Sequence, residues 1–241
     1  MGDKKKAMGT MKKIFILHGW AYSTEKWGPF IRLLNKAGFD TKLLKIPGLT
    51  AKIDRPWNLN DYVRWLKEEI DRDKDRRIVI GHSNGGRLAL AIASKYPNLI
   101  SHLILINSAG IHHDNVNLRI KRNVFKNIAK IGKMFTSSKK LRNLLYKIAG
   151  ETDYRDAEEN VAKTMVNLIS SDLTQSLSKV KASTLIIWGE KDKYNQTPLS
   201  DTRLMNRLIK NSKLRIVKEA KHSPQFTHPK EVLEFIKEEL A

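Results

Sequence analysis

The sequence predicts an α/β fold: a doubly wound, mostly parallel sheet of about six strands. Three observations lead there. Short apolar runs alternate with longer amphipathic stretches over most of the 241 residues. Several of those runs, such as IVI, LILI and LIIW, are apolar without a break, which is how strands covered on both faces read. The 41% hydrophobic content supports a sizeable core, and chains of this length often form one α/β unit.

The elements follow in chain order. Residues 1–11 are polar and lysine-rich and are expected to be a flexible tail. A strand at Lys13–Leu17 runs into His18-Gly19-Trp20. A helix at Trp27–Ala37 carries Phe30, Ile31, Leu33 and Leu34 and stops at Gly38. The second strand, Thr41–Ile46, precedes a helix over Leu59–Ile70 with Asn60 or Asp61 as its N-cap. The strand Arg77–Ile80 leads through a glycine-rich turn into the small-residue helix Asn84–Tyr96, halted by Pro97. Leu103–Ile106 is the fourth strand. Thr184–Trp188 and Leu214–Val217 are the last two. Between them lies a helix at Leu199–Ile209, behind Pro198, and the final helix, Glu231–Leu240, follows Pro229.

One stretch interrupts the alternation. From about Asp114 to Val180 the pattern is helical and contains no strand. It is expected to be a helical cap insertion at about 114–180 within a single domain spanning 12–241.

Composition sets bounds on function. The chain has no cysteine, so disulfides, thiolate catalysis and thiolate metal sites are excluded. The first apolar run is four residues, too short for a signal peptide or a membrane span, and a cytoplasmic protein is expected. The net charge is +20, from 45 basic and 25 acidic residues. Such a balance attracts anions in general, and it reads here as a lysine-rich solvated surface with no specific nucleic-acid site. Residues 115–147 concentrate it, with ten lysines and arginines and no acid. Val124, Phe125, Ile128, Ile131, Met134 and Phe135 recur there on roughly one helical face. This reads as a cap helix with its apolar face over the site, and weak electrostatic contact with an anionic membrane is the competing reading.

The chemistry begins at Gly81-His82-Ser83-Asn84-Gly85, a G-x-S-x-G sequence placed between a buried strand and a helix. In that context the turn is tight enough to force Ser83 into a strained backbone with its hydroxyl exposed. A serine hydroxyl is a weak nucleophile and needs a base, which in turn needs an acid to orient it. Both should follow later in the chain, each in a loop after a strand. His222 stands after the last strand, and an ordinary histidine pKa of about 6.5 suits proton transfer at neutral pH. His228 is its rival but precedes Pro229 and belongs with the last helix. Glu190 and Asp192 both follow LIIW and either can be the acid. Two backbone N–H groups should hold the developing oxyanion: that of Asn84, after the nucleophile, and that of Trp20, in the loop after the first strand. Trp20 also suits a pocket wall.

Taken together, these segments resemble the α/β-hydrolase superfamily over nearly the whole chain. IFILHGW resembles its oxyanion motif, GHSNGG its nucleophile elbow, LIIWGEKD its acid loop, EAKH its histidine loop and FTHPKEVLEFI its last helix. The resemblance places the acid at Asp192 and a helical cap between Asn115 and Val180. Three features depart from the family. Lys45 stands where an acid is common, Lys221 replaces the usual glycine before the histidine, and the customary N-terminal antiparallel strands are expected to be missing. The resemblance implies a carboxylesterase-like serine hydrolase that cleaves esters of small or medium acyl groups through an acyl-enzyme. Its triad would be Ser83, Asp192 and His222, with no cofactor and no metal. Alternatives on the same triad are carbon–carbon bond hydrolysis, thioester hydrolysis or a lyase reaction on an anionic substrate. An alternative of another class is a non-catalytic basic protein that binds nucleic acid or anionic membrane.

Overall fold

Side chains alternate across a strand, so an uninterrupted apolar strand must be covered on both faces. That is how the chain is organised in the structure, a computed structural model that describes residues 12–21, 23–71, 77–111, 159–193 and 198–241. The strands are β1 (Lys13–Leu17), β2 (Asp40–Leu43), β3 (Arg77–His82), β4 (Ile100–Ile106), β5 (Ser183–Gly189) and β6 (Ser212–Val217). They form one sheet in the order β2-β1-β3-β4-β5-β6, and every pair is parallel.

The helices are α1 (Gly28–Lys36), α2 (Leu59–Asp71), α3 (Asn84–Lys95), α4 (Glu159–Ile169), α5 (Leu199–Leu208), α6 (Pro224–Thr227) and α7 (Pro229–Leu240). Strand parity decides which of them each residue meets. Phe15, Leu17, Val79, Leu103 and Leu105 point to the face covered by α2, α3, α4 and α5. Ile14, Ile16, Ile78, Ile80 and Ile104 point to the other face, where Phe30 and Leu34 of α1 and Val232 and Ile236 of α7 close the core. Buried Arg87 on α3 donates through Nη1 to the Leu168 carbonyl near the end of α4 and so binds the two helices together.

The expected cap falls mostly on residues 112–158, outside the described residues; within the described part, α4 and a 3-10 turn at Thr174–Lys179 are helical. Among the described residues no helix is long and apolar enough to cross a membrane.

The N-cap of α2 differs from expectation. Asn58 Oδ1 accepts from the N–H groups of Asn60 (2.9 Å) and Asp61 (3.1 Å), while Asp61 Oδ2 accepts the Asn58 N–H at 2.9 Å. The cap is a reciprocal box that starts at Asn58, two or three residues earlier, because two side chains three residues apart satisfy backbone donors at each other's end. Asp61 is buried and also accepts from Arg55 at 2.8 and 3.1 Å and from Arg64 at 2.6 Å. The Arg55 hydrogen bonds, with smaller help from the Asn58 N–H and Arg64, hold its carboxyl well below the usual carboxylate range against its burial.

A depressed folded-state pKa stabilises fully above the unfolded-state value, and that contribution declines as pH falls below it until the folded-state value is passed. Asp61→Ala is therefore expected to cost about 1–3 kcal/mol at pH 7, roughly 2–10 °C in melting temperature. The gap between parent and variant should narrow as pH falls from about 5 to about 3. Equal melting temperatures at pH 7 would refute this.

Candidate active site

The strand order reverses at β1: the chain leaves it for β2 on one side and returns to β3 on the other. Crevices at such reversals, beyond the carboxyl ends of the strands, are where open parallel sheets bind ligands. The loops ending β1 and β3 flank this crevice, and they hold His18-Gly19-Trp20 and Ser83.

Ser83 joins β3 to α3 with φ 54° and ψ −120°, outside the regions open to ordinary side chains. The turn tolerates no Cβ at its flanks. One on Gly81 would lie 2.6 Å from the Gly86 Cα, and one on Gly85 would lie 2.5 Å from the His18 carbonyl oxygen. Glycine at these two positions lets the elbow close, and Ser83 is left at the rim with 6% of its surface exposed.

His222 and Asp192 arrive from β6 and β5. The loops carrying them are stitched by Lys191 N–H to the Ala220 carbonyl at 2.8 Å and Glu190 N–H to the Val217 carbonyl at 3.0 Å. The His222 Nδ1–H donates to Asp192 Oδ2 at 2.9 Å, and the Asp192 side chain is 1% exposed. Glu190, the rival acid, turns away and accepts the Glu219 N–H at 3.1 Å. His228 is the residue between α6 and α7, as the sequence places it, with its Nδ1 on the Thr227 hydroxyl.

A cavity of about 250 Å³ opens over these groups. Ser83, His222, Trp20, Trp27, Phe226 and Lys26 line it, and Lys26 is the single formally charged side chain among the described lining residues. Trp20 is thus a wall as well as a loop residue. The N–H groups of Trp20 and Asn84 make no hydrogen bond among the described residues. Among those residues no group of three or more candidate metal ligands comes together.

Three participants escape the sequence reading. Asn107 ends β4 with φ 42° and is fully buried. Its Nδ2 donates to the same Asp192 Oδ2 at 2.8 Å, and its Oδ1 accepts the Gly189 N–H at 3.2 Å. His82, next to the serine, donates from Nε2 to the His222 carbonyl at 2.9 Å, its ring 5.1 Å from the His222 ring. Burial, reinforced by His222, pushes the His82 pKa down to about 3, so the ring stays neutral. It adds no positive charge beside His222. His18 is the third, fully buried at the end of β1, where it binds the Gly19 carbonyl. Position in an HG or G-x-S sequence is the only signal for the two histidines, and Asn107 has only its place after a buried strand.

Comparison with known proteins gives the same fold. The family model for the alpha/beta hydrolase fold matches residues 13–149. The chain is similar to a pimeloyl-[acyl-carrier protein] methyl ester esterase of Legionella pneumophila, at 24% identity over 89% of each chain. It is also similar to a 2-hydroxy-6-oxononadienedioate/2-hydroxy-6-oxononatrienedioate hydrolase of Pseudomonas putida, at 23% identity over 89% of this chain and 83% of that one. Among solved structures, MenH from S. aureus superposes with a TM-score of 0.72 at 20% identity, covering 95% of both chains. A six-stranded parallel sheet, a strained serine elbow at its reversal and these likenesses converge: the chain belongs to the alpha/beta hydrolase fold family and is a hydrolase of that family.

Proposed function

We propose that the protein hydrolyses carboxylic esters of small or medium acyl groups, with Ser83 as nucleophile, His222 as base and Asp192 as the acid that orients it. One observation carries this reading. The Nδ1–H of His222 is committed to Asp192 Oδ2, so the neutral ring keeps its lone pair on Nε2, and that ring shares a cavity with Ser83.

In this reading the lone pair takes the hydroxyl proton as Ser83 Oγ attacks the ester carbonyl. The carbonyl oxygen becomes an oxyanion held by the Trp20 and Asn84 N–H groups, which have no competing partner among the described residues. His222 then returns the proton to the departing alcohol. A water repeats the sequence on the acyl-enzyme and frees the acid. Asp192 stabilises the imidazolium in both halves. The cap expected at about 114–180 would bound the acyl pocket.

Lys26 supports a finer reading, that the acyl group carries an anion such as a second carboxylate. The relative from Pseudomonas putida is named for a dioate substrate, which also supports carbon–carbon bond hydrolysis on the same groups as a second reading.

The test is a fluorophosphonate probe followed by a substrate panel. The probe should attach to the peptide holding Ser83; an adduct elsewhere, or none, overturns the assignment. In the panel, p-nitrophenyl monoesters of dicarboxylic acids should show a lower KM than neutral esters of equal length at low salt. Lys26→Met should raise that KM alone, by about two- to fivefold, the range of an exposed ion pair. Equal KM values for acidic and neutral esters reject the anionic reading and leave the esterase reading standing.

A further inference from the structure

The Trp20 N–H can serve an oxyanion only if its peptide plane is held. We propose that Thr50 is a positioning residue of the oxyanion loop, acting through His18 to fix the plane of the Gly19–Trp20 peptide. This rests on the assignment of the Trp20 N–H given above.

Two side chains and one loop make the connection. His18 Nδ1 lies 2.7 Å from the Gly19 carbonyl oxygen, and His18 Nε2 lies 3.0 Å from Thr50 Oγ1. Thr50 Oγ1 in turn lies 2.9 Å from the Ile46 N–H. Every donor and acceptor then follows from chemistry. A carbonyl only accepts, so Nδ1 carries the proton. In a neutral ring Nε2 must then accept, so the Thr50 hydroxyl donates to it. The hydroxyl oxygen keeps a lone pair for Ile46, whose backbone N–H can only donate. The chain of bonds runs one way, from Ile46 N–H through Thr50 and His18 to the Gly19 oxygen, with no group left in conflict. Burial pushes the His18 pKa down, which keeps the ring in the neutral form this direction requires.

The last bond sets the geometry of the next amide. Every described peptide is trans, so the N–H of Trp20 points opposite to the carbonyl of Gly19 in the same plane. Holding that carbonyl against the buried His18 ring therefore holds the Trp20 N–H on the opposite side. Rotation of this peptide would break the 2.7 Å bond and strand a buried ring nitrogen.

The far end of the relay is itself fixed. The N–H groups of Leu49, Thr50 and Ala51 all return to the Ile46 carbonyl, at 3.1, 2.9 and 3.1 Å. Tyr62 of α2, buried and kept protonated by that burial, donates its hydroxyl to the Pro47 carbonyl at 2.6 Å. Thr50 thus offers its hydroxyl from a turn that is tied to itself and to α2. A residue that touches no substrate can in this way set the aim of a donor that does.

The experiment compares Thr50→Val, which keeps the shape and removes the hydroxyl, with Thr50→Ser, which keeps the hydroxyl. Removing an oxyanion donor outright costs about 10²–10³-fold in kcat, and a donor left free to swing should cost less. Thr50→Val should lower kcat on a p-nitrophenyl ester about tenfold with KM within about twofold of the parent. It should slow fluorophosphonate labelling in parallel, because that reaction also builds an oxyanion. Thr50→Ser should stay within about twofold of the parent on both measures. The pH midpoint of kcat/KM should not move, since His222 and Asp192 are untouched. In a double-mutant cycle with His18→Asn, Thr50→Val should add no further loss.

Parental kcat in Thr50→Val, equal losses in the Val and Ser variants, or additive losses in the cycle would each overturn the relay. If Thr50→Val does not fold by thermal melting, Thr50→Ala carries the same comparison. Ser83→Ala is the control that separates the two readings. An active Ser83→Ala variant removes the site itself, whereas an inactive one beside a fully active Thr50→Val removes only the relay.

Discussion

Ser83→Ala should lower kcat on a p-nitrophenyl ester by about 10⁴- to 10⁶-fold, the loss seen when a serine nucleophile is removed from a working triad. The prediction follows from the geometry of one turn. Among the described residues Ser83 is the one hydroxyl-bearing residue held at a positive φ, 54°. His222→Gln should cost a similar factor, and the double variant little more, because nucleophile and base act as one unit. The fold should be retained in both, since neither side chain forms part of the two apolar clusters. Steady-state kinetics with thermal melts checks this. Turnover above about one hundredth of the parent in Ser83→Ala would remove Ser83 from the chemistry.

Asp192→Asn is expected to lower kcat by about 10³- to 10⁴-fold while changing KM little. Asn107 shapes how that variant's side chain would sit. One carboxylate corner, Oδ2, accepts from both His222 Nδ1 and Asn107 Nδ2. In the variant, an amide nitrogen at that corner would face two donors, so the amide oxygen is the atom that fits. The imidazole should then keep its tautomer and lose only the negative charge that stabilises it once protonated. Asp192→Asn combined with Asn107→Leu frees the amide to turn its nitrogen toward His222, which reverses the tautomer and should deepen the loss. Pre-steady-state acylation rates for the two variants measure the difference. Equal rates would show that Asn107 does not set the amide's orientation.

The inner strands were legible because burial on both faces leaves an unbroken apolar run. IVI, LILI and LIIW became β3, β4 and β5. The edges were less so. β6 begins at Ser212, two residues before the apolar signal, since its outer side chains meet water and carry no hydrophobic mark. β2, the other edge, ends at Leu43, three residues before the apolar run does; Leu44 still donates to the Ile16 carbonyl at 3.0 Å, and Ile46 already accepts the bonds of the turn that holds Thr50. The start of β4 at Ile100-Ser101-His102 was hidden by two polar residues: His102 pairs with Ile78 of β3, and Ser101 falls at the register shift between Arg77 and Ile78.

The site divides the same way. Ser83 was marked by the glycines its turn demands, and His222 and Asp192 by their places after strands. Asn107 and His82 are held at the site by distant partners, Asp192 at 85 residues from Asn107 and His222 at 140 residues from His82. No local pattern encodes such a pairing; only the parallel register of the sheet brings those rims together.

The connection between β4 and β5 has a further consequence. Its two ends are clasped at the base, where the Leu173 N–H donates to the Gly110 carbonyl at 3.0 Å. α4 lies inside that clasp and is bound to the core through Leu168 and to α3 through Arg87. The return of the connection to β5 is therefore part of the scaffold, and exchanging it would disturb the packing on α3. Any refitting of this fold to a new molecule has to carry that helix along unchanged.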